Sequence, residues 1–457
     1  MSATLSTSRP ALSLSQIINM SVGFFGIQFG WDLQRANMGR IYENLGAHAD
    51  EVPYLFLAAP LTGLIVQPII GYLSDRTWHP VWGRRRPYFL IGAILASAAL
   101  LFMPFSSEIW MAAGLLWILS TSGNIAMEPF RAFVTDKLPD SQVNRGFIMQ
   151  SLMIGLGGTI ASSLPWIMGN VFGVTNTSID KSIPPNVRYS FYIGAFFFLT
   201  AVLYTVFTSK EYPPDEPAPG EVAVKEKRSF LSGFSEIMEA LKNMPAQMKR
   251  VAVVQFFTWP GLFLMWFYYT TAVAINVFGG VNDQDPVYAK GADFAGLTLA
   301  FYNVVTFGFA FILPSVADRL GRRVTHSMCL LCGAIGLISV GWVTNGNMLY
   351  LCMTGVGIAM SSILSMPYAM LSGSLPRNKI GIYMGIFNFF IVLPEIIASL
   401  GFKSVMKNIL HNDRMLAIQL GGGFLAVASL ICIILVKEKT EDQLETVKLE
   451  IEEKRSI

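Results

Sequence analysis

Charge is scarce in this chain: Asp, Glu, Lys and Arg make up 14% of its 457 residues, while 53% are hydrophobic and the mean hydropathy is +0.49. That is too little charge to clothe a soluble domain of this length, which excludes the ordinary globular classes. The surplus of +3 lies in loops rather than on one face, leaving nucleic-acid binding without a basic patch. Histidine is equally thin. His48, His79, His326 and His411 are scattered, and no large polar loop carries a nucleophile or a metal cluster, so a membrane enzyme such as a sugar transferase finds no chemistry here. The cysteines, Cys329, Cys332, Cys352 and Cys432, all fall inside apolar runs. The Cys329-x-x-Cys332 spacing therefore reads as packing, not as a redox or metal pair. No small-residue cleavage site follows the first apolar run, so an uncleaved helix is expected there and not a signal peptide.

What the chain does have is a series of long apolar runs. A spanning helix needs roughly 20 apolar residues, and twelve such segments can be placed. The first starts near Leu14, and the rest of the first half covers about 52–72, 87–106, 108–130, 146–172 and 189–208. The second half covers about 249–278, 293–315, 325–344, 347–371, 379–404 and 414–436. The expected fold class is an all-α integral membrane protein, with 12 transmembrane helices in two pseudo-symmetric six-helix bundles. Residues 1–208 form the first bundle, 209–248 a cytoplasmic linker, 249–436 the second bundle and 437–457 a charged tail.

The two-bundle reading rests on an internal repeat. The stretch GYLSDRTWHPVWGRRRP, Gly71 to Pro87, lies between two apolar runs and returns as ADRLGRR, Ala317 to Arg323. Each copy places a carboxylate, Asp75 or Asp318, at a helix end, with a Gly-Arg-Arg cluster a few residues on. Gly83 to Gly321 is 321 − 83 = 238 residues, and Pro129 to Pro367, in PFRAFVTDKLP and PYAMLSGSLP, is 367 − 129 = 238 again. Two motifs sharing one offset argue for a duplicated half.

Basic residues collect in the even-numbered loops, as in RTWHPVWGRRR, the KEKR region, ADRLGRR and LPRNK, whereas ENLGAHADE and GGVNDQDP are mixed or acidic. The positive-inside rule then predicts both termini in the cytoplasm. The central segment opens with PPDEPAPGE, a linker composition. It continues with Phe230, Phe234, Ile237, Leu241 and Met244 at helical spacing, an amphipathic stripe suited to the membrane surface. The tail beyond Val436 is charged all round and is expected to fray.

Two six-helix halves, basic inner loops and an Asp-x(n)-Gly-Arg-Arg/Lys signature between the second and third helices of each half resemble the major facilitator superfamily over nearly the whole chain. Within it, GIQFGWDLQ, LVQPIIGYLSDR…GRRRP and the Pro-Phe-Arg-Ala of the fourth helix are similar to the plant sucrose–proton symporters and their bacterial relatives, of the glycoside–pentoside–hexuronide:cation symporter type. The resemblance implies a carrier without a cofactor, with the proton as coupling ion. It also shows a departure. Eleven residues before the helix-4 arginine, where the plant proteins carry a coupling aspartate, this chain has Ser120; conversely, Asp32 stands in place of Ala and Glu395 in place of Gln.

The signature loop suits a latch, because a carboxylate and arginines at helix ends can form a charge-assisted network in one conformation and break it in the other. Asp75, Arg84 and Arg85 are the candidates in the first half and Asp318, Arg322 and Arg323 in the second, with Arg131 and Asp136 grouped with them at the end of helix 4. A topogenic role for the same arginines remains open alongside it.

Ionisable residues within spans are informative, since each costs about 2.5–3.5 kcal/mol at a helix centre. Gln28, Asp32 and Arg35 share a helical face, expected to look into a central cavity, although an Asp32–Arg35 pair sealed inside helix 1 would give the same spacing. Glu128 lies roughly 28 Å along helix 4, near the cytoplasmic end, and Glu395 about 22 Å along helix 11, nearer the middle. The expected order for proton coupling is Asp32, then Glu395, then Glu128.

A sugar site needs amides to match hydroxyls and aromatic faces to cover pyranose C–H surfaces. Gln28, Trp31, Asn124, Gln150, Trp259, Trp266, Tyr302, Asn303 and Asn388 sit at suitable depths. Asn303 and Asn388 match asparagines of the plant proteins, and Gln150 occupies the duplicated position of Asn388, 388 − 238 = 150. Interfacial packing accounts equally well for tryptophans, and Pro260 beside Trp259 could break helix 7 for either purpose.

The expected function is alternating-access symport of a proton with a disaccharide such as sucrose or maltose, or another glycoside. The expected setting is the plasma (inner) membrane, and the expected form a monomer. A uniporter, a sodium-coupled carrier of the same fold and a non-transporting sugar sensor are the alternatives; the sensor should have lost the intramembrane carboxylates and latch arginines, which this chain keeps.

Overall fold

The structure, a computed structural model, describes residues 10–178, 182–212, 239, 241–371 and 380–437. The stripe residues Phe230, Phe234 and Ile237, the Pro-rich start of the central segment, the LPRNK loop and the tail past Lys437 lie outside these residues.

Among the described residues every long element is a helix, as the lipid core demands of a chain that must satisfy its own backbone polar groups. In order they are α1 (Leu14–Asn44), α2 (Ala58–Arg76), α3 (Arg86–Phe102), α4 (Ile109–Lys137), α5 (Asp140–Asn170) and α6 (Pro185–Thr208). The second half continues with α7 (Ala246–Ala272), α8 (Pro286–Leu320), α9 (Arg322–Ser339), α10 (Met348–Ile363), α11 (Ile380–Asn408) and α12 (Arg414–Leu435). Among the described residues 11 helices are long and apolar enough to cross a membrane. The long helix outside that set is α1, whose Gln, Asn and charged residues dilute its apolar character. Several helices overrun the predicted spans, α8 by about two turns at its start, because polar turns beyond the apolar stretch keep their helical hydrogen bonds.

Local signals explain the helix ends. Ser13 and Gln16 form a capping box at the start of α1, satisfying two of the orphan amides there. Pro87 and Pro185 sit in the first turns of α3 and α6, where a missing N–H is harmless. The two signature glycines both have positive φ, +75° at Gly83 and +83° at Gly321. Such a backbone admits glycine readily, which explains why the motif keeps it in both copies.

The chain divides into two compact units. The first joins residues 1–218 with 266–304 and 402–414; the second joins 219–265, 305–401 and 415–457. Inside the first, small residues bring helices close: a Cβ on Gly26 of α1 would meet the Phe197 and Phe198 carbonyls at 2.9 Å, and one on Gly92 of α3 the Ser122 carbonyl at 2.7 Å. Phe89 and Phe130 stack between them at 3.8 Å, with Phe24 edge-on to Phe130. Inside the second, Gly261 of α7 and Gly421 of α12 face each other backbone to backbone.

Candidate functional site

The first unit carries its central polar group on α1. Gln28, Asp32 and Arg35 fall on one face, as their spacing requires, and Asp32 is buried. Gln28 Nε2 donates to Asp32 Oδ2, and Asn303 Nδ2 of α8 donates to Asp32 Oδ1 at 3.4 Å. On α5, Gly158 leaves the space this contact needs, since a Cβ there would lie 2.8 Å from Asp32 Oδ2 and 2.9 Å from Asn303 Nδ2. Arg35 turns away from a simple pair with Asp32: its guanidinium lies 4.5 Å over the Trp266 ring and 5.8 Å from that of Trp31. Tyr302, buried, joins Asp32, Arg35, Trp266 and Asn303 around a cleft of only about 10 Å³. Ligand pockets run to ~300–1,000 Å³, so these groups are closed on one another in this conformation.

Six of the sequence candidates therefore converge: Gln28, Trp31, Asp32, Trp266, Tyr302 and Asn303. Two in the same unit are engaged elsewhere. Asn124 donates to the Ser120 carbonyl and to Thr62 Oγ1 and accepts from Gln67 Nε2 at 2.7 Å, which ties α4 to α2. Gln150 donates to the Phe130 carbonyl at 3.1 Å. In the second unit, Glu395 is buried on α11, Asn388 is half-buried on the same helix, and the Trp259 indole N–H of α7 finds no partner among the described residues. The sequence reading missed Gln255, one turn before Trp259 and fully buried, with neither amide atom satisfied among the described residues. Only its intramembrane depth could have flagged it.

The first signature loop forms a dense charge network. Asp75 Oδ1 receives Arg84 Nη2 at 2.8 Å and Arg85 Nη2 at 2.7 Å, while Arg85 Nε reaches Asp136 Oδ2 at 2.7 Å and Arg85 Nη1 reaches Ser74 Oγ at 2.5 Å. Burial works against the Arg85 charge, but Asp136 and Asp75 outweigh it and its pKa moves up. Glu128 sits against Gly71 in the field of Arg131, Arg85 and Asp75, with Arg131 exposed.

Glu211, just beyond α6, was also missed. Its carboxylate accepts the backbone N–H groups of Arg84, Arg85 and Arg86 at 2.9–3.0 Å, an anion seat at the start of α3. No local pattern marks it, because its partners lie over a hundred residues earlier. In the second copy Arg322 donates to the Ala369 carbonyl, Arg323 Nη1 donates to the Val436 carbonyl at 3.3 Å, and Asp318 is exposed.

A polytopic helical membrane protein with a duplicated Asp/Gly-Arg-Arg loop and a buried carboxylate among amides and aromatic rings has the anatomy of a secondary transporter. Residues 20–399 match the Major Facilitator Superfamily, and the chain belongs to that family. It is 25% identical to Sucrose transport protein SUC4 of Arabidopsis thaliana, over 87% of this chain and 85% of that protein. To Sucrose transport protein SUT1 of Oryza sativa subsp. japonica it is 23% identical, over 98% and 92%. Among solved structures, a D-xylose-proton symporter superposes with a TM-score of 0.67 at 16% identity, covering 93% of this chain and 99% of the other. The nucleoside transporter NupG also gives 0.67, at 13% identity over 93% and 100%. At these identities the structural likeness speaks for the fold.

Proposed function

We propose that this chain is a sugar:proton symporter of the plasma membrane, carrying a disaccharide or a related glycoside by alternating access. The observation that carries the reading is the convergence of Asp32 with Gln28, Asn303, Tyr302 and Trp266. Amides and a phenol supply hydroxyl partners, indole faces cover apolar sugar surface, and a buried carboxylate among them can exchange a proton. The likeness to two sucrose transport proteins supports a disaccharide over a monosaccharide. In this reading residues 1–208 and 249–436 are the two rocking bundles, both termini face the cytoplasm and the monomer is the working unit. Asp75, Arg84, Arg85 and Asp136 latch one end while the Asp32 cluster binds.

The test is transport in proteoliposomes. Counterflow against a panel of sugars identifies the substrate, and an imposed pH gradient should drive its accumulation. Asp32→Asn should abolish accumulation yet keep sugar exchange, which needs no net proton movement. A variant that still concentrates sugar moves coupling to Glu395, with Glu395→Gln the next measurement; accumulation driven only by a sodium gradient rejects the proton.

A further inference from the structure

Arg40 lies near the end of α1, about 39 Å along the helix from Leu14. The start of α1 is tied to the start of α5 by Leu12 and Gln142, close to the end of α4 that carries Asp136, so Arg40 marks the face of the first unit opposite the Asp75 latch. Its side chain is 2% exposed and meets two aspartates. Arg40 Nε donates to Asp283 Oδ1 in the loop between α7 and α8, Nη1 lies 3.5 Å from Asp293 Oδ1 on α8, and Nη2 donates to the Asn176 carbonyl at 3.1 Å. Two carboxylates thus share one guanidinium in a buried cluster. The neighbouring Glu43 and Arg414 cannot correct the imbalance, because they pair one to one in a bidentate contact of 2.8–3.0 Å. Tyr288 lines the same cavity as Asp283 with its ring 5.8 Å from the Arg40 guanidinium, Tyr268 lies in the field of Glu43, Arg414 and the further carboxylate Asp50, and a phenol is neutral at ordinary pH.

A net negative charge held away from water is costly, and one proton removes it. The hydrogen bonds say where the proton goes. Asp293 accepts from Asn186 Nδ2 at 2.8 Å and Asn176 Nδ2 at 3.0 Å besides facing Arg40, and this set of donors favours its carboxylate. Asp283 has one side-chain donor, Arg40, and borders a polar cavity of about 330 Å³ shared with Glu43, Gln284, Tyr288 and Arg414.

We propose that Asp283 is a second proton-accepting site, on the face opposite the latch, and that it takes up one proton when α1, α8 and the loop between α7 and α8 close around Arg40. Burial pushes the Asp283 carboxyl up from its ordinary range, against the opposing pull of Arg40. The sign follows: the closed cluster holds the proton more tightly than open, hydrated Asp283, so closure is favoured as pH falls and opening as pH rises. The role in coupled transport rests on the symport reading above, whereas the protonation itself is measured without sugar and fails or holds separately.

Ala289 of α8 is fully buried one turn before Asp293, and Val281 in the loop is 76% exposed. In the full chain in nanodiscs, Ala289→Cys should react with a maleimide about tenfold faster, relative to Val281→Cys, at about pH 9 than at about pH 5. Peptide mass spectrometry distinguishes these sites from the native cysteines. Adding Asp283→Asn should hold the ratio at its low, acid value throughout. On the unmodified chain with isotope-labelled aspartate, infrared difference spectra should show a protonated carboxyl at acid pH that Asp283→Asn removes. A flat profile in the Ala289→Cys parent, an unchanged profile with Asp283→Asn, or infrared spectra in which Asp283→Asn removes no carboxyl intensity beyond that belonging to Asp32 overturns the proposal.

Discussion

Asn303 of α8 donates to Asp32 of α1 at 3.4 Å, joining residues 271 positions apart on the carboxylate that Gln28 also binds. Asn303→Ala should raise the sugar KM about tenfold, the equivalent of ~1.4 kcal/mol. Accumulation at saturating sugar should persist, because the carboxylate remains. An unchanged KM across the sugars carried would remove Asn303 from the binding group.

Arg85 bridges Asp75 and Asp136 from a nearly covered position, so its loss removes the arginine that bonds Asp136 and leaves Asp75 with Arg84 alone. Charge-assisted hydrogen bonds are worth about 1.5–3 kcal/mol each, which as a barrier is ~10–100-fold in rate. Arg85→Ala should slow transport by that much while sugar affinity, read by tryptophan quenching, changes by less than about threefold. Arg85→Lys should rescue little, since an ammonium cannot fork to two carboxylates. Affinity falling in step with rate would show that the network supports the binding group rather than a latch.

Gly83 combines a φ of +75° with a close neighbour: a Cβ there would lie 2.5 Å from Glu211 Oε1. Gly83→Ala should destabilise by at least ~1–2 kcal/mol from the left-handed backbone alone, seen as a lower melting temperature in detergent. Glu211→Gln, which keeps shape but not charge, should lower it less. Equal melting temperatures for Gly83→Ala and the parent would count against the anion seat.

Lys137 ends α4 with its ammonium 5.5 Å from the Phe133 ring, and burial, with Arg86 nearby, pushes its pKa down to about 8. The unfolded chain keeps the proton up to its ordinary 10.5, so between about 8 and 10.5 the unfolded state binds more protons and this residue's contribution to stability rises with pH. Reductive methylation with labelled formaldehyde should give a Lys137 resonance titrating near 8, well below its ordinary 10.5. A midpoint near 10.5 would place Lys137 in water.

Reporter fusions check orientation. Placed after Thr208 and after Ile457, both should report cytoplasm, as the basic even-numbered loops require. An extracellular signal from either would change the helix count.

The helices were legible because the bilayer imposes a length and a polarity that any spanning segment must meet, and the repeat was legible because Gly83 to Gly321 and Pro129 to Pro367 share one offset. Helix 1 strains that logic: its polar residues make it the least apolar long helix, yet they are the ones that converge with Tyr302 and Asn303. Asn124 and Gln150 show the opposite limit. A buried amide looks the same in sequence whether it waits for a ligand or ties two helices together, and only their partners, Gln67, Thr62 and the Phe130 carbonyl, tell which.

By itself the sequence determined the membrane setting, the helical class, the duplicated signature loop and the polar face of α1, all of which follow from composition and short-range period. Tertiary structure alone decided that Glu211 seats on the Arg84–Arg86 amides, that Arg35 lies over Trp266 and that Arg40 faces both Asp283 and Asp293. Each of those contacts joins residues more than a hundred positions apart, and periodicity within a helix carries no information about which distant side chain folding brings against it.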